Sequence, residues 1–489
     1  MKKVRSIKVN AMLNIVKTVI SIGIHLITIP YASRVLGASH YGKVSYANSI
    51  IQYLALLAML GISNYAQREG PRFRDDHKKI NDFASQLFTV NVLATVGSYA
   101  VMVFLLLFSV KLRNYRMLIL VQSVIIILTT IGADWINQIY EDYFYMTVRY
   151  IVVEIIALFS LFIFVRTPDD YIKYAFIMVM AAAGGNLFNI FYIKRYVHLH
   201  FVPLSQCRRH LKPIFKLFFV NLAMVLYISS DITILGYFKD SKTVGIYSLA
   251  SKIYSTIKNV INAVIMVSIP RLSFYLGHHQ NFDYKQLINK ISNYLITFLL
   301  PVVCGLFVLA KPIMLIVGGQ EYGNGSIPLS ILSVALLFAS FACLFSSGVL
   351  LLYKRDNTYL MATVISCVVN VGCNFIMIPL WGYNGAAITT LIAEFIMFII
   401  SAGVSIKDYL KTNEIFTDRR IYLSSVCGSV MILLIGLIVR NLVSSIILQI
   451  FITFGVSCMI YIAFLTFFKN PLLLSSMKKL KCKISHEGE

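Results

Sequence analysis

Lys17, Lys252 and Lys258 stand in stretches made otherwise of apolar and uncharged side chains. Around the first, polar residues fall at Asn10, Asn14, Lys17, Ser21 and His25. Around the others they fall at Ser248, Lys252, Ser255, Asn259 and Asn262, with Lys258 beside them, and a third set begins at Ser45, Asn48 and Gln52. Steps of three and four place each set on one face of a helix. An ammonium group holds anions, and amides and hydroxyls hold sugars or water. Taken singly, the Ser and Asn residues read first as hydrogen bonds between helices. The lysines ask for more, because a charge at the centre of a membrane helix costs about 2.5–3.5 kcal/mol on insertion scales. Lys258 precedes Arg271 by thirteen residues, roughly 20 Å of helix. Lys17 lies roughly 12 Å inside its apolar run by the same rise. Neither reaches the surface easily, whereas Lys252, near a helix end, can snorkel. Three cations against few buried acids describe a cavity suited to an anion. The acids are Asp134, Asp231 and Glu154. Each has two open readings, a structural partner for a cation or a carrier of a coupling ion.

Other chemistry is absent from the pattern. No nucleotide-binding motif, metal-ligand cluster or nucleophile constellation is present, and no cofactor is expected. The Gly-rich "GGQEYGNGS" at 318–326 lacks the Gly-Lys-Ser/Thr of a phosphate loop and reads as an outer loop or a break in a helix. The eight cysteines fall mostly inside apolar runs without a Cys-x-x-Cys pair and read as small buried hydrophobes. His25 reads as a satisfied polar histidine, and Gly184-Gly185 as a site of close helix packing.

The elements that carry these residues follow from composition. The chain has 489 residues, 58% hydrophobic and 13% charged, against about 45–50% and about 25% for a soluble domain. Apolar runs of about 20 residues recur from end to end, each long enough to cross a bilayer, and such runs must be helices because lipid offers the backbone no partners. The run after "MKKVRSIKVN" is too long for a secretory signal and reads as an uncleaved first span. Helices are expected near 9–32, 41–67, 83–110, 114–138, 147–166, 172–194, 213–237, 243–270, 290–311, 328–352, 358–380, 383–408, 419–440 and 443–468. Assigning each Lys or Arg to its nearer connection puts 30 on one side and 11 on the other, with the three lysines above inside spans. Positive residues gather on the cytoplasmic side, so both termini are expected there. The formal charge of +23 then lies against anionic headgroups, as in "REGPRFRDDHKK" and "CRRHLKPIFK". Nucleic acid is not an expected partner.

One register occurs twice. Setting Gly42 on Gly245 aligns Ser45 with Ser248, Ala47 with Ala250, Ile50 with Ile253 and Arg68 with Arg271. A Leu-Gly pair precedes each copy, Leu36-Gly37 and Leu235-Gly236, with four more residues before the match in the second. The copies open spans 2 and 8, six helices apart, and so share orientation. Parallel repeats of this kind are common in transporters, with the substrate between the halves. The expected architecture is all-α: about 14 transmembrane helices, as two pseudo-two-fold related six-helix lobes around a central cavity plus two extra helices. The expected boundaries are 1–205, 206–412 and 413–489.

Four segments resemble a known family. "YASRVLGASHYGKVSYANSIIQYLALLAMLGISNYAQRE", "ADWINQIYEDYFYMTVRYIVVE", "DITILGYFKDSKTVGIYSLASKI" and "IPLWGYNGAAITTLIAE" are similar to segments of bacterial polysaccharide repeat-unit flippases, in the multidrug/oligosaccharidyl-lipid/polysaccharide exporter superfamily. Glu154 is a departure, where Lys is expected in many relatives. The resemblance implies a non-enzymatic transporter of the bacterial cell membrane. It would carry undecaprenyl-pyrophosphate-linked oligosaccharide to the outer leaflet by alternating access, for capsule, O-antigen or exopolysaccharide assembly. A polysaccharide polymerase and glycosyltransferases would be its pathway partners. Under that reading Lys17, Lys258, Lys252, Arg68 and Arg271 meet the pyrophosphate, and Asn14, Ser21, Gln52, Ser255 and Asn259 meet sugar. The rivals are a cation-coupled multidrug exporter of the same superfamily, against which the cationic stripes count, and a membrane glycan polymerase or ligase, which would need a larger outer loop.

Overall fold

The computed structural model describes residues 7–410 and 418–474 of the chain, with side chains at the N-terminal end beginning at Met12. Asn10 and Asn14 lie outside the described side chains. Among the described residues the structure is helical throughout: α1 (Ile7–Met59), α2 (Ile62–Glu69), α3 (His77–Phe108), α4 (Val110–Arg113), α5 (Arg116–Gly132), α6 (Asp134–Ile139), α7 (Tyr143–Phe164), α8 (Tyr171–Val179), α9 (Asn186–Tyr192), α10 (Leu204–Phe238), α11 (Ser241–Gly277), α12 (Asn281–Val308), α13 (Ala310–Gly318), α14 (Ser326–Phe345), α15 (Asp356–Trp381), α16 (Tyr383–Asp408), α17 (Arg419–Leu442) and α18 (Ile446–Phe467). Twelve helical segments are long and apolar enough to cross a membrane, the first being Val16–Met59, and Arg116–Gly132 is a shorter apolar helix. The protein is a multi-pass membrane protein.

The sequence separates the first two spans by a loop at 33–40, but the helix runs through that region with a single break. Gly37 takes φ 68°, ψ 169°, a conformation open to glycine at little cost. The expected fourth span runs to residue 138, whereas the helix stops at Gly132. Ala133 sits in the left-handed region at φ 44°, and α6 restarts at Asp134. The sixth span is interrupted by a π-turn at Met180–Gly184 between α8 and α9, and the stretch 320–325 is a 3-10 turn between α13 and α14. These interruptions free backbone groups inside the spans, as happens in transporter helices where neighbours re-satisfy them.

The chain forms two compact units, Met1–Ser248 and Leu249–Glu489. In the first, α1 packs on α3, α5, α7 and α10, and α10 also packs on α2 and α3. At one end of this unit Ile62, Phe83, Leu87, Trp135, Ile139 and Cys207 form a buried core. In the second unit α14 and α15 pack on α16, and α12 packs on α14 and α17, which pairs with α18. Cys207 and Cys367 are buried and no disulfide forms among the described cysteines.

The repeated glycines meet. A Cβ on Gly42 would lie 1.8 Å from the Ser241 carbonyl oxygen, and a Cβ on Gly245 would lie 1.9 Å from that of Ala38. Both contacts put residue i against residue j − 4 of the other copy, with the same sequence offset, so the crossing of α1 and the start of α11 is reciprocal. No side chain larger than hydrogen fits on either side of it. The earlier Leu-Gly pairs do different work: Gly37 breaks a helix, while Gly236 lies inside α10 and makes room for the Tyr46 ring.

Candidate functional site

The first polar cluster lies in the first unit, where α1 packs on α7. The Lys17 ammonium sits 4.4 Å from the centre of the Tyr150 ring, a cation–π contact. Tyr150 donates to Glu154 at 2.7 Å, so the 3.0 Å contact with Ser21 is donated by the Ser21 hydroxyl. One helical turn on, His25 Nδ1 lies 2.7 Å from the Ser21 carbonyl, which accepts only, so Nδ1 carries the proton. The result is a continuous face, Lys17, Ser21 and His25, tied through Tyr150 to a buried carboxylate, Glu154.

The break at Ala133 frees the next part of this cluster. Asp134 accepts from Arg149 at 2.6 Å and from the Asn189 amide at 3.1 Å. Asn189 also donates to the Gly132 carbonyl at 2.5 Å, and its own oxygen accepts from Asn137 at 2.7 Å. A helix without the break would have used that carbonyl internally. Gly185 makes room for the arrangement, since a Cβ there would lie 3.1 Å from Cγ of Arg149. At the adjoining loop, Asp142 is partly buried, which opposes its ionisation. The Tyr192 and Tyr196 hydroxyls donate to it at 2.6 and 2.7 Å and Arg195 pairs with it. These partners prevail, and its carboxyl is held below the usual carboxylate range.

The second cluster lies in the second unit, on α11 and α16. Lys258 pairs with Glu394, which also accepts from the Tyr254 hydroxyl at 2.9 Å. The two ends of the pair differ in exposure: the Lys258 side chain is 24% exposed and that of Glu394 only 5%. Ser255 donates back to the Lys252 carbonyl at 3.0 Å and Asn259 is exposed. Beside this pair, Ile257 lines a cavity of about 660 Å³ with Phe298, Val302, Leu306, Phe454 and Ile462, on α12 and α18. It is almost wholly apolar; Ile257 precedes Lys258 in sequence, and neither Lys258 nor Glu394 is among the residues that line it.

The remaining expected site residues are dispersed. Gln52 accepts from Ser229 of α10. Asp231, buried, accepts from Tyr247 at 2.7 Å. Arg68 is exposed beside Glu69 at 3.2 Å, and Arg271 is exposed and donates to Tyr275 at 3.0 Å. Neither arginine is held in a built anion site within its own unit. The sequence reading passed over Glu394, although one carboxylate inside the apolar run "AITTLIAEFIMFII" was a visible signal. Among the described residues no group of His, Cys, Asp and Glu is placed to hold a metal ion.

Residues 7–276 match the family described as polysaccharide biosynthesis protein. The chain is 22% identical over 388 residues to an Escherichia coli K12 protein named "Putative O-antigen transporter", covering 76% of this chain and 89% of that one. It is 26% identical over 172 residues to the Haloferax volcanii protein named "Probable low-salt glycan biosynthesis flippase Agl15", covering 35% and 36%. Its fold is similar to that of a solved structure of the lipid II flippase MurJ in an inward closed conformation, with a TM-score of 0.74, 16% identity, and 95% and 99% of the two chains covered. The matched segment spans more than half of the sequence and carries both copies of the glycine register, and the chain belongs to the polysaccharide biosynthesis protein family, a family of membrane transporters rather than enzymes.

Proposed function

We propose that this protein moves a polyprenyl-pyrophosphate-linked oligosaccharide, undecaprenyl in bacteria, from the cytoplasmic to the outer leaflet of the cell membrane. The observation that carries the reading is that α11 bears, at successive positions, a residue that lines an apolar cavity, Ile257, and a lysine whose side chain is partly exposed, Lys258. A lipid diphosphate needs both, a cation for its head and an apolar channel for its chain. Within the first unit, the face of Lys17, Ser21 and His25 also carries a cation, with hydroxyl and imidazole groups. A diphosphate leaving water uncompensated would be prohibitive, and lysines suit a ligand that must also depart better than a bidentate arginine clamp. The names of the two relatives, an O-antigen transporter and a glycan flippase, support the same substrate class.

We infer 14 crossings, counting Val16–Met59 twice because of the break at Gly37 and adding Arg116–Gly132. With an even number of crossings, the excess of positive residues in alternate connections places both ends of the chain in the cytoplasm. The sequence repeat supports two six-helix lobes with α17 and α18 added, and α10, the first helix of the second lobe, packs on α1, α2 and α3 in the first unit. No nucleotide site is part of the reading, so transport draws on an ion gradient or on consumption of product outside. Anionic lipids at the basic loops and a polymerase with glycosyltransferases are the partners this reading implies.

The test is surface polysaccharide in cells that depend on this protein, at matched membrane abundance. Lys17→Ala and Lys258→Ala are each expected to stop export while the protein stays inserted, so that lipid-linked repeat units accumulate inside. Lys→Arg is expected to retain part of the activity, and Lys252→Ala to matter less. Normal export by the Lys17→Ala, Lys258→Ala double variant would overturn the cationic mechanism.

A further inference from the structure

Lys258 is not a bare cation. Its ammonium is paired with Glu394, a carboxylate that the protein surrounds and to which the Tyr254 hydroxyl donates at 2.9 Å. The exposure of the pair is one-sided: the lysine side chain is partly exposed and the glutamate side chain is buried. Burying an ion pair yields little net stability, and well-packed apolar residues commonly serve as well. A pair that only stabilised the contact of α11 with α16 would therefore be an indirect solution, and it would not require the lysine to remain accessible. A pair that positions one cation on a partly exposed side chain is explained by what the cation does next.

We propose that Glu394 is the built-in competitor of the substrate for Lys258: a carboxylate that holds the ammonium while the site is empty and weakens diphosphate binding so that the substrate can leave. This rests on the proposed function and goes beyond it by assigning Glu394 a role in release. The lysine stem is flexible and its charge compact, so an arriving diphosphate can draw the ammonium off the carboxylate. Tyr254 keeps the carboxylate in place, and the carboxylate takes the ammonium back when the diphosphate departs. A transporter gains nothing from a site that binds too tightly to empty.

The experiment uses full-length protein in lipid nanodiscs with farnesyl pyrophosphate as probe and farnesol as the control lacking phosphate. Glu394→Gln is expected to bind the probe about tenfold more tightly than wild type, with farnesol binding unchanged, and to lower export severalfold. A carboxylate with a purely structural role would, on removal, weaken binding and export together. Glu394→Asp, which keeps the charge but withdraws it by one methylene, is expected to fall between, and it carries the test if Glu394→Gln does not fold. Lys258→Gln should weaken probe binding and remove the effect of Glu394→Gln in the double variant. If Lys258→Gln weakens binding but the Glu394 variants bind as wild type or more weakly, the competitor role is wrong and the lysine site stands. If Lys258→Gln leaves probe binding unchanged, the lysine site is wrong and the competitor role falls with it.

Discussion

At the residue scale, the Asp134–Arg149 pair shows how much polar structure the first unit hides. The Arg149 side chain is only 10% exposed, and Asp134 is 36% exposed. Removing one partner of a fully buried pair costs about 3–5 kcal/mol, so with Asp134 a third exposed we expect about 2–3 kcal/mol for Asp134→Asn. The check is thermal unfolding of the purified protein, in which Gly185→Ala, which presses on Cγ, Cδ and Nε of Arg149 but leaves both charges in place, should lower the midpoint less. Asp142 adds a pH dependence. Its carboxyl is held below the usual range in the folded protein, by Tyr192, Tyr196 and Arg195 against the effect of burial. A depressed carboxylate contributes stability above its unfolded value of about 3.9 and loses it as pH falls through the folded value. Midpoints measured from pH 6 down to pH 3 should drop below about pH 4, and Asp142→Asn should flatten that part of the drop. The sequence displayed Asp134, Arg149 and Asp142 in one segment but not their partners Asn189, Tyr192 and Tyr196, which reach them only once two helices have been broken.

At the element scale, long apolar runs were legible and their interruptions were not. A run such as 147–166 becomes α7 nearly as read, because apolar length is a strong signal. The stop at Gly132 and restart at Asp134 rest on Ala133 at φ 44°, and nothing in an alanine announces a left-handed turn. The tertiary hydrogen bonds of Asn189 and Asp134 impose it. The glycines were legible as a repeat, but not as a mutual contact, since sequence similarity does not say that two copies touch. That contact makes a sharp prediction. Gly42→Ala or Gly245→Ala must push backbone from backbone, with an expected cost of about 1–3 kcal/mol as for other overpacking. Because the two share one crossing, the double variant should cost clearly less than the sum of the singles. A double-mutant cycle on thermal or denaturant midpoints reads this directly, and strict additivity would show the crossing to be two separate contacts.

For the whole molecule, orientation rests on charge alone and is open to a direct check. Single cysteines placed in the 67–82 and 195–212 connections, in a background without native cysteines, are expected to react with a membrane-impermeant maleimide only after the cytoplasmic side is opened. Labelling of the first connection in intact cells would reverse the topology. The membrane class and the family were readable from composition and from four segments. The division of labour within the second unit was not, because an apolar cavity is a property of packing among α12, α13 and α18 rather than of any one run, and Lys258 looked unaccompanied until Glu394 was brought across 136 residues to meet it.

The reciprocal glycine crossing has a historical meaning as well. A contact in which Gly42 of the first copy meets Ser241 of the second, and Gly245 of the second meets Ala38 of the first, is the kind that two identical subunits make across a two-fold axis. An ancestor of half the length, carrying the register once, would have possessed both surfaces of this contact already and could have assembled with itself through them. Gene duplication and fusion would then have preserved an interface rather than created one. The two glycines would be kept small by each other, so that neither copy was free to drift while the rest of the repeat diverged around them.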